Sequence, residues 1–303
     1  MRIMITGGTG MIGRALCPLL LSSGHLVTVL SRNPDESRGM PAGVVIEKWD
    51  GKTTEGWGHL VSGTDAIINL AGAGIADSPW TDKRKQIIRE SRIQAGLALQ
   101  KAIQAAKEKP KVLIQASAVG YYGARNDDQI ITEAAPPGKD FLAKACFDWE
   151  MSTAPVSKLG IRRPILRTGI VLSKRGGALP KMMLPFKFFA GGPLGNGKQW
   201  VPWIHLTDEV RAIKFLLENP KADGPFNLAA PNPHTNQQFG EILGAVMRRP
   251  AFMPAPAFAM KAALGEMSTI VLDGQRVVPT KLEELGFSFT YPALRDALRN
   301  LVG

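Results

Sequence analysis

The sequence predicts an α/β fold: a doubly wound parallel sheet covered by helices on both faces, followed by a smaller C-terminal lobe. Three observations predict it. Short β-rich apolar runs alternate with helical segments as far as about residue 170, a glycine-rich turn joins the first run to the first helix, and beyond Gly169 glycines and prolines punctuate the chain. The division is a nucleotide-binding domain over residues 1–171 and a smaller substrate lobe with a C-terminal helical segment over 172–303, part of which is free to return to the sheet.

The candidate strands are residues 2–6, 26–31, 44–47, 65–70, 111–116 and 163–168. Their near-continuous apolarity is what burial on both faces requires. Parallel neighbours need long crossovers, and residues 11–21, 81–107 and 141–157 carry helical periodicity between them. In the second of these, Ile87, Ile88, Leu97 and Ile103 stand among charged neighbours as the apolar set. In the lobe, Thr235-Asn236-Gln237-Gln238 and Thr280-Lys281-Leu282-Glu283 both match the capping box that opens a helix, and Gly286 suits a helix C-terminus. The proline-rich stretch 249–256 reads as an extended connector.

With 303 residues, 45% of them apolar and 21% charged, the chain has the composition of an ordinary globular protein with a sizeable core. A strand pattern begins at Met1 with no signal-peptide sections ahead of it, and no run reaches the roughly 18 apolar residues of a bilayer span. No membrane partner and a cytoplasmic location are therefore expected. Two cysteines, Cys17 and Cys146, make neither a disulfide framework nor a metal-ligand spacing, and four scattered histidines lack the i, i+4 pairing of a helical zinc site, so no metal is expected. The net charge of +11 raises the question of nucleic acid. The basic groups are dispersed, however, and lack the interleaved aromatics of a single-strand groove, so an anionic dinucleotide is the better match and no nucleic-acid partner is expected.

The strongest functional signal is Thr6-Gly7-Gly8-Thr9-Gly10-Met11-Ile12-Gly13, between the first strand and first helix. A pyrophosphate would there meet a helix N-terminus. Gly7 and Gly8 permit a tight turn, Gly10 lets backbone approach phosphate, and Gly13 lets the helix pack on the strand. This is the dinucleotide-binding fingerprint of a Rossmann sheet. NAD-specific sites place Asp or Glu at the end of the second strand for the ribose 2′-hydroxyl; here stand Ser31 and Arg32, and a guanidinium suits the 2′-phosphate of NADP(H). Asp50 either meets the adenine amino group or forms the turn before Gly51. Leu70, Ala71 and Gly72 follow the fourth strand, at the edge where ligands bind.

These motifs, with INLAGAGI from Asn69, SAVGYYG from Ser117, FLAKACFDWE from Phe141, LRTGIVLS from Leu166 and GGPLGNGKQWVPWIH from Gly191, resemble the extended short-chain dehydrogenase/reductase family, and more closely its atypical epimerase-like branch. The likeness covers the whole length. It implies an NADP(H)-dependent epimerase or oxidoreductase with a small-molecule substrate, a nucleoside-diphosphate sugar. The wider family uses a Ser or Thr with a Tyr-x-x-x-Lys pair; Ser117 matches the first, but Leu142 and Cys146 stand where tyrosine and lysine are expected. Tyr121 and Tyr122 are then the candidate proton donors, Tyr122 preferred because an extended chain would point the two oppositely. Arg92 occupies the family's asparagine position and either meets the cofactor or pairs along its own helix. By the same resemblance Trp203, His205 and Asp208 are substrate-binding candidates, and Cys146 reads as a small buried residue. The missing pair keeps a second reading open, a non-catalytic NADP(H) sensor or scaffold.

Overall fold

The structure, a computed structural model, describes residues 1–37, 39–125 and 127–302. The first part runs β1 (Arg2–Thr6), α1 (Met11–Ser22), β2 (Leu26–Ser31), β3 (Val44–Lys48), β4 (Ala66–Asn69), α2 (Asp82–Ala105), β5 (Val112–Ala118), β6 (Ile130–Ile131), α3 (Phe141–Met151) and β7 (Pro164–Thr168). The second part runs β8 (Ile170–Leu172), α4 (Leu179–Lys187), β9 (Trp200–Val201), β10 (Trp203–His205), α5 (Leu206–Glu218), β11 (Gly224–Leu228), β12 (His234–Thr235), α6 (Asn236–Met247), α7 (Ala257–Leu264), α8 (Thr269–Leu272), β13 (Arg276–Val277), α9 (Thr280–Glu284) and α10 (Leu294–Val302).

Seven strands form one sheet in the order β11-β7-β5-β4-β1-β2-β3, every neighbouring pair parallel. It is a Rossmann-type doubly wound sheet, and all six expected strands lie in it. The seventh, β11, pairs with β7 after a crossover through α5, so residues 206–228 join the sheet layer. One face packs α1 and α5 through Leu16, Leu20, Ile213 and Leu216; the other packs α2 through Ala95, Leu99 and Ile103. The lobe has its own core around Trp203, Phe239, Leu243 and Leu298.

Three local expectations differ. The helix expected over 141–157 ends at Met151 and gives way to a 3₁₀ turn, Ala154–Leu159, because Pro155 cannot donate the next hydrogen bond. The Thr235 capping box forms, but Thr280 lies inside α9 behind Pro279 and makes no cap. On α2, Ile88 and Ile103 are buried whereas Ile87 and Leu97 face outward, since they fall off the stripe that meets the sheet.

Candidate functional site

The turn after β1 shows which of its glycines serve the protein and which serves a ligand. Gly7 sits at φ +69°, and a Cβ there would lie 2.7 Å from the Leu70 carbonyl oxygen. A Cβ on Gly8 would strike Val29 of β2 at 2.6 Å, and one on Gly13 would strike the Gly8 backbone at 2.4 Å. Thus Gly8 makes the fit against the sheet and Gly13 fits against Gly8, a correction to the expectation that Gly13 meets the strand. Gly10 differs: its nearest neighbour is the Gly7 oxygen at 3.3 Å, and the residue is exposed. Gly10 is also the N-cap of α1, with no side chain capping the helix and no acidic residue in its first turn. The positive end of α1, with Met11 and Ile12 half-buried and Thr9 beside it holding Arg14 Nε on its carbonyl at 2.8 Å, is left without a side-chain cap behind the exposed Gly10. The cradle fits a pyrophosphate.

At the end of β2, Ser31 is buried and its Oγ accepts from the Asn33 amide, while Arg32 is exposed, its chain passing 3.8 Å from where a Cβ on Gly51 would stand. Asp50 takes the turn-forming role, accepting from the amides of Lys52 and Thr53 and from Thr53 Oγ1, each at 2.8 Å; the backbone donors hold its carboxyl below the usual range. Leu70, Ala71 and Gly72 continue β4 over the sheet edge, Leu70 against Gly7. Arg92 reaches up from α2 behind Gly72, where a Cβ would meet its guanidinium at 3.0 Å. Its Nη1 donates to the carbonyls of Ala73 and Ile88, its guanidinium lies 4.8 Å over the Trp149 ring, and burial lowers its pKa. Arg92 therefore supports the 71–73 loop and makes no acidic pair along its own helix.

At the end of β5, Ser117 Oγ donates to Glu150 Oε1 at 2.7 Å, and Glu150 is gripped by both arms of Arg167 at 3.0 and 3.1 Å. Tyr121 and Tyr122 lie on a 3₁₀ turn, Val119–Tyr122, so the alternation expected of an extended chain does not apply. Tyr122 is 1% exposed; its hydroxyl donates to Asn227 Oδ1 at 2.5 Å and accepts from Arg167 Nη1 at 3.2 Å. Burial, opposed by Arg167, pushes that phenol up to about 12. Burial also raises Tyr121, whose ring stacks 3.5 Å from the Arg167 guanidinium. Leu142 and Cys146 both face the Gly120 turn, 3.4 and 3.7 Å from the position of its absent Cβ. Burial drives the Cys146 thiol up to about 12 despite nearby Arg92, so it is no nucleophile at neutral pH.

Beside Leu142 and Gly120 opens a cavity whose walls include Trp80, Phe141, Asp140, Asp273 and Gln275. Two contacts cross the cleft, Lys85 Nζ to Glu266 at 2.7 Å and Lys181 Nζ to the Ala76 carbonyl at 3.2 Å. Asp140 spends its oxygens capping α3 and holding the Ala124 amide. The Asp273 carboxyl, half-buried, is raised by burial and then by neighbouring Asp140. Nothing in the sequence marked Asp273, because it reaches the cavity from a segment about 130 residues beyond Leu142.

Trp203, His205 and Asp208 are placed differently, all buried and none among the cavity walls. His205 Nδ1 accepts from the Thr207 amide as the cap of α5, and its ring lies 4.0 Å from that of Tyr291. Asp208 accepts from the amides of Thr290 and Tyr291 at 2.7 and 2.8 Å and from Arg211 at 3.0 Å. It ties α5 to the loop before α10. Next to it, Glu209 is 1% exposed, Oε1 accepts from Thr168 Oγ1 at 3.0 Å, Oε2 has no partner among the described residues, and burial raises the carboxyl to about 8.

A parallel sheet with an uncapped helix N-terminus behind a glycine turn defines a dinucleotide-binding protein of Rossmann type. Residues 3–229 match the NAD dependent epimerase/dehydratase family, and residues 255–301 match a domain of unknown function, DUF1731. The chain belongs to that epimerase/dehydratase family, as its resemblance implied. It is 42% identical over 302 residues to the epimerase family protein YfhF of Bacillus subtilis, covering 100% of this chain and 98% of that protein. It is 40% identical over 310 residues to a chloroplastic SDR39U1 homolog of Arabidopsis thaliana, covering 100% and 87%. The crystal structure of human epimerase family protein SDR39U1 with NADPH superposes with a TM-score of 0.89 at 33% identity, covering 100% of this chain and 99% of that one. UDP-glucuronic acid 4-epimerase from Bacillus cereus, 19% identical with a TM-score of 0.81 over 100% and 98% of the two chains, shares the fold. The chain is thus an NAD(P)-binding, epimerase-like protein. No helix among the described residues is long and apolar enough to cross a membrane.

Proposed function

We propose that this chain binds NADP(H) and acts by hydride transfer on a small-molecule substrate, a nucleoside-diphosphate sugar. The observation that carries the cofactor half is the Gly10 cradle at the open N-terminus of α1, with Arg32 beyond β2 supplying a cation for a 2′-phosphate. The human relative solved with NADPH supports the same choice. Gly10, Met11 and Ile12 would face the pyrophosphate while Gly13 keeps α1 close against Gly8, Leu70 to Gly72 would underlie the middle of the cofactor, and Arg92 would hold that loop in place. When bound, the nicotinamide supplies the hydride chemistry. The substrate half rests on the cavity beside Leu142, with Trp80 and Phe141 as apolar walls, and on neighbours of the same fold solved with sugar nucleotides. Trp203, His205 and Asp208 would then shape the site by holding the lobe. Two free, buried cysteines suit a reducing compartment such as the cytoplasm.

Proton transfer falls to Ser117 with Tyr121 or Tyr122, and to Asp273 as the titratable wall of the cavity. A phenol near 12 is a poor donor at neutral pH, so turnover is slow. That observation also favours a second reading, an NADP(H)-binding sensor or scaffold without turnover. A screen of nucleoside-diphosphate sugars with NADP(H), repeated on Tyr121→Phe, Tyr122→Phe, Asp273→Asn and Cys146→Ser variants, separates them. Loss of about 10²- to 10⁴-fold in a tyrosine or Asp273 variant alone identifies the proton carrier. Loss confined to Cys146→Ser contradicts the assignment, and NADPH binding with no sugar turned over supports the sensor.

A further inference from the structure

Helix α7 is anomalous. Its sequence, AFAMKAAL, is apolar on every side but for Lys261, yet none of its residues is buried. A helix hydrophobic all round ordinarily lies inside a protein, and so short a helix gains little from its own hydrogen bonds. Its surroundings repeat the pattern. Phe188, Phe252 and Phe258 are 75%, 76% and 77% exposed, and Leu184, Phe189 and Met253 are exposed by half or more.

The segments that carry these residues lie side by side. The Met253 amide donates to the Gly191 carbonyl at 3.0 Å, Ala255 to Pro193 at 2.9 Å and Gly195 to Ala255 at 2.8 Å, which stitches the chain after α4 to the connector that leads into α7. The Arg249 guanidinium lies 4.5 Å over the Phe189 ring, and Gly195 abuts Ala257. The two segments that build the face, residues 181–198 and 248–265, contain Lys181, Lys187, Lys198, Arg248, Arg249 and Lys261, all exposed, and no Asp or Glu; of the exposed carboxylates that border them, Glu241 bonds Gln237 and Glu266 is paired with Lys85.

We propose that this face docks on an anionic lipid surface. Aromatic side chains standing among lysines and arginines gain from both parts of such a surface: the rings enter the acyl boundary while the cations meet acidic headgroups. A second copy of the chain would bring two faces of the same charge together, which opposes self-association. The phenylalanines project from three separate elements, a geometry suited to a soft apolar layer. A peripheral face needs no membrane-spanning run. The chain that follows α7 supplies Glu266, Thr269 and Asp273 to the cavity wall.

Co-sedimentation of the full chain with vesicles tests this. Binding is expected with phosphatidylcholine vesicles containing phosphatidylglycerol, not with phosphatidylcholine alone, and should weaken as salt rises. Phe252→Ser with Phe258→Ser should cut partitioning by about tenfold or more while thermal stability and NADPH binding stay unchanged. Lys187→Glu or Lys261→Glu should each cut it by at least about fivefold. Absence of binding, or equal binding to both vesicle types, overturns the proposal. So does self-association in solution that Phe258→Ser abolishes, or a salt-sensitive complex with an acidic protein in place of vesicle binding.

Discussion

Glu209 is held far from its ordinary state by burial, and the departure carries a consequence for stability. Its carboxyl is raised from 4.5 to about 8 by burial, so the folded chain keeps it protonated where the unfolded chain ionises it. The stability this contributes is present in full below the unfolded pKa and is lost as pH rises from there through about 8, by up to about 1.4 kcal/mol per pH unit. Urea midpoints measured across that window should fall more steeply for the unaltered chain than for Glu209→Gln; parallel curves would reject the assignment. Residues of this kind are the ones the sequence hides. The turn between β1 and α1 is legible because the residues that build it are neighbours in sequence. Tyr122 bonds Asn227 and Arg167, and Asp208 bonds Thr290 and Tyr291, partners dozens of residues away, so the surroundings of these two candidates are not legible in the sequence.

At the scale of elements, the β1 turn and α1 act as one unit in which each glycine has a separate task. Gly13→Ala should destabilise the fold by about 1–3 kcal/mol, because its methyl would meet the Gly8 backbone at 2.4 Å and neither element can give way. Gly10→Val should leave the circular dichroism and melting temperature nearly intact, since Gly10 has ordinary N-cap dihedrals of −77° and 176° and a Cβ there would meet one close neighbour, the Gly7 oxygen at 3.3 Å, while NADPH binding is abolished. Retained binding in a folded Gly10→Val chain would falsify the placement of the pyrophosphate. Strand positions were read from apolarity to within a residue or two. Helix ends were less legible where proline geometry decided them, as at Pro155 after α3 and Pro279 before α9.

Across the whole molecule, the alternation of strands and helices made the parallel sheet legible, and the resemblance extended it to the lobe. The cavity was not legible, because its walls come from the loop before α2, the start of α3 and the segment around α8, which only the folded chain brings together. Glu266, one of its walls, is held by Lys85 of α2 at 2.7 Å. In the proposed function the turn after β1 would hold NADP(H), with Arg32 meeting its 2′-phosphate. Calorimetric titration of NADPH and NADH into the unaltered chain and into Arg32→Ala tests it most directly. Charge-assisted hydrogen bonds of about 1.5–3 kcal/mol predict NADPH tighter by roughly tenfold to a hundredfold, with most of that preference gone in Arg32→Ala. Equal affinities for the two cofactors in the unaltered chain would contradict it.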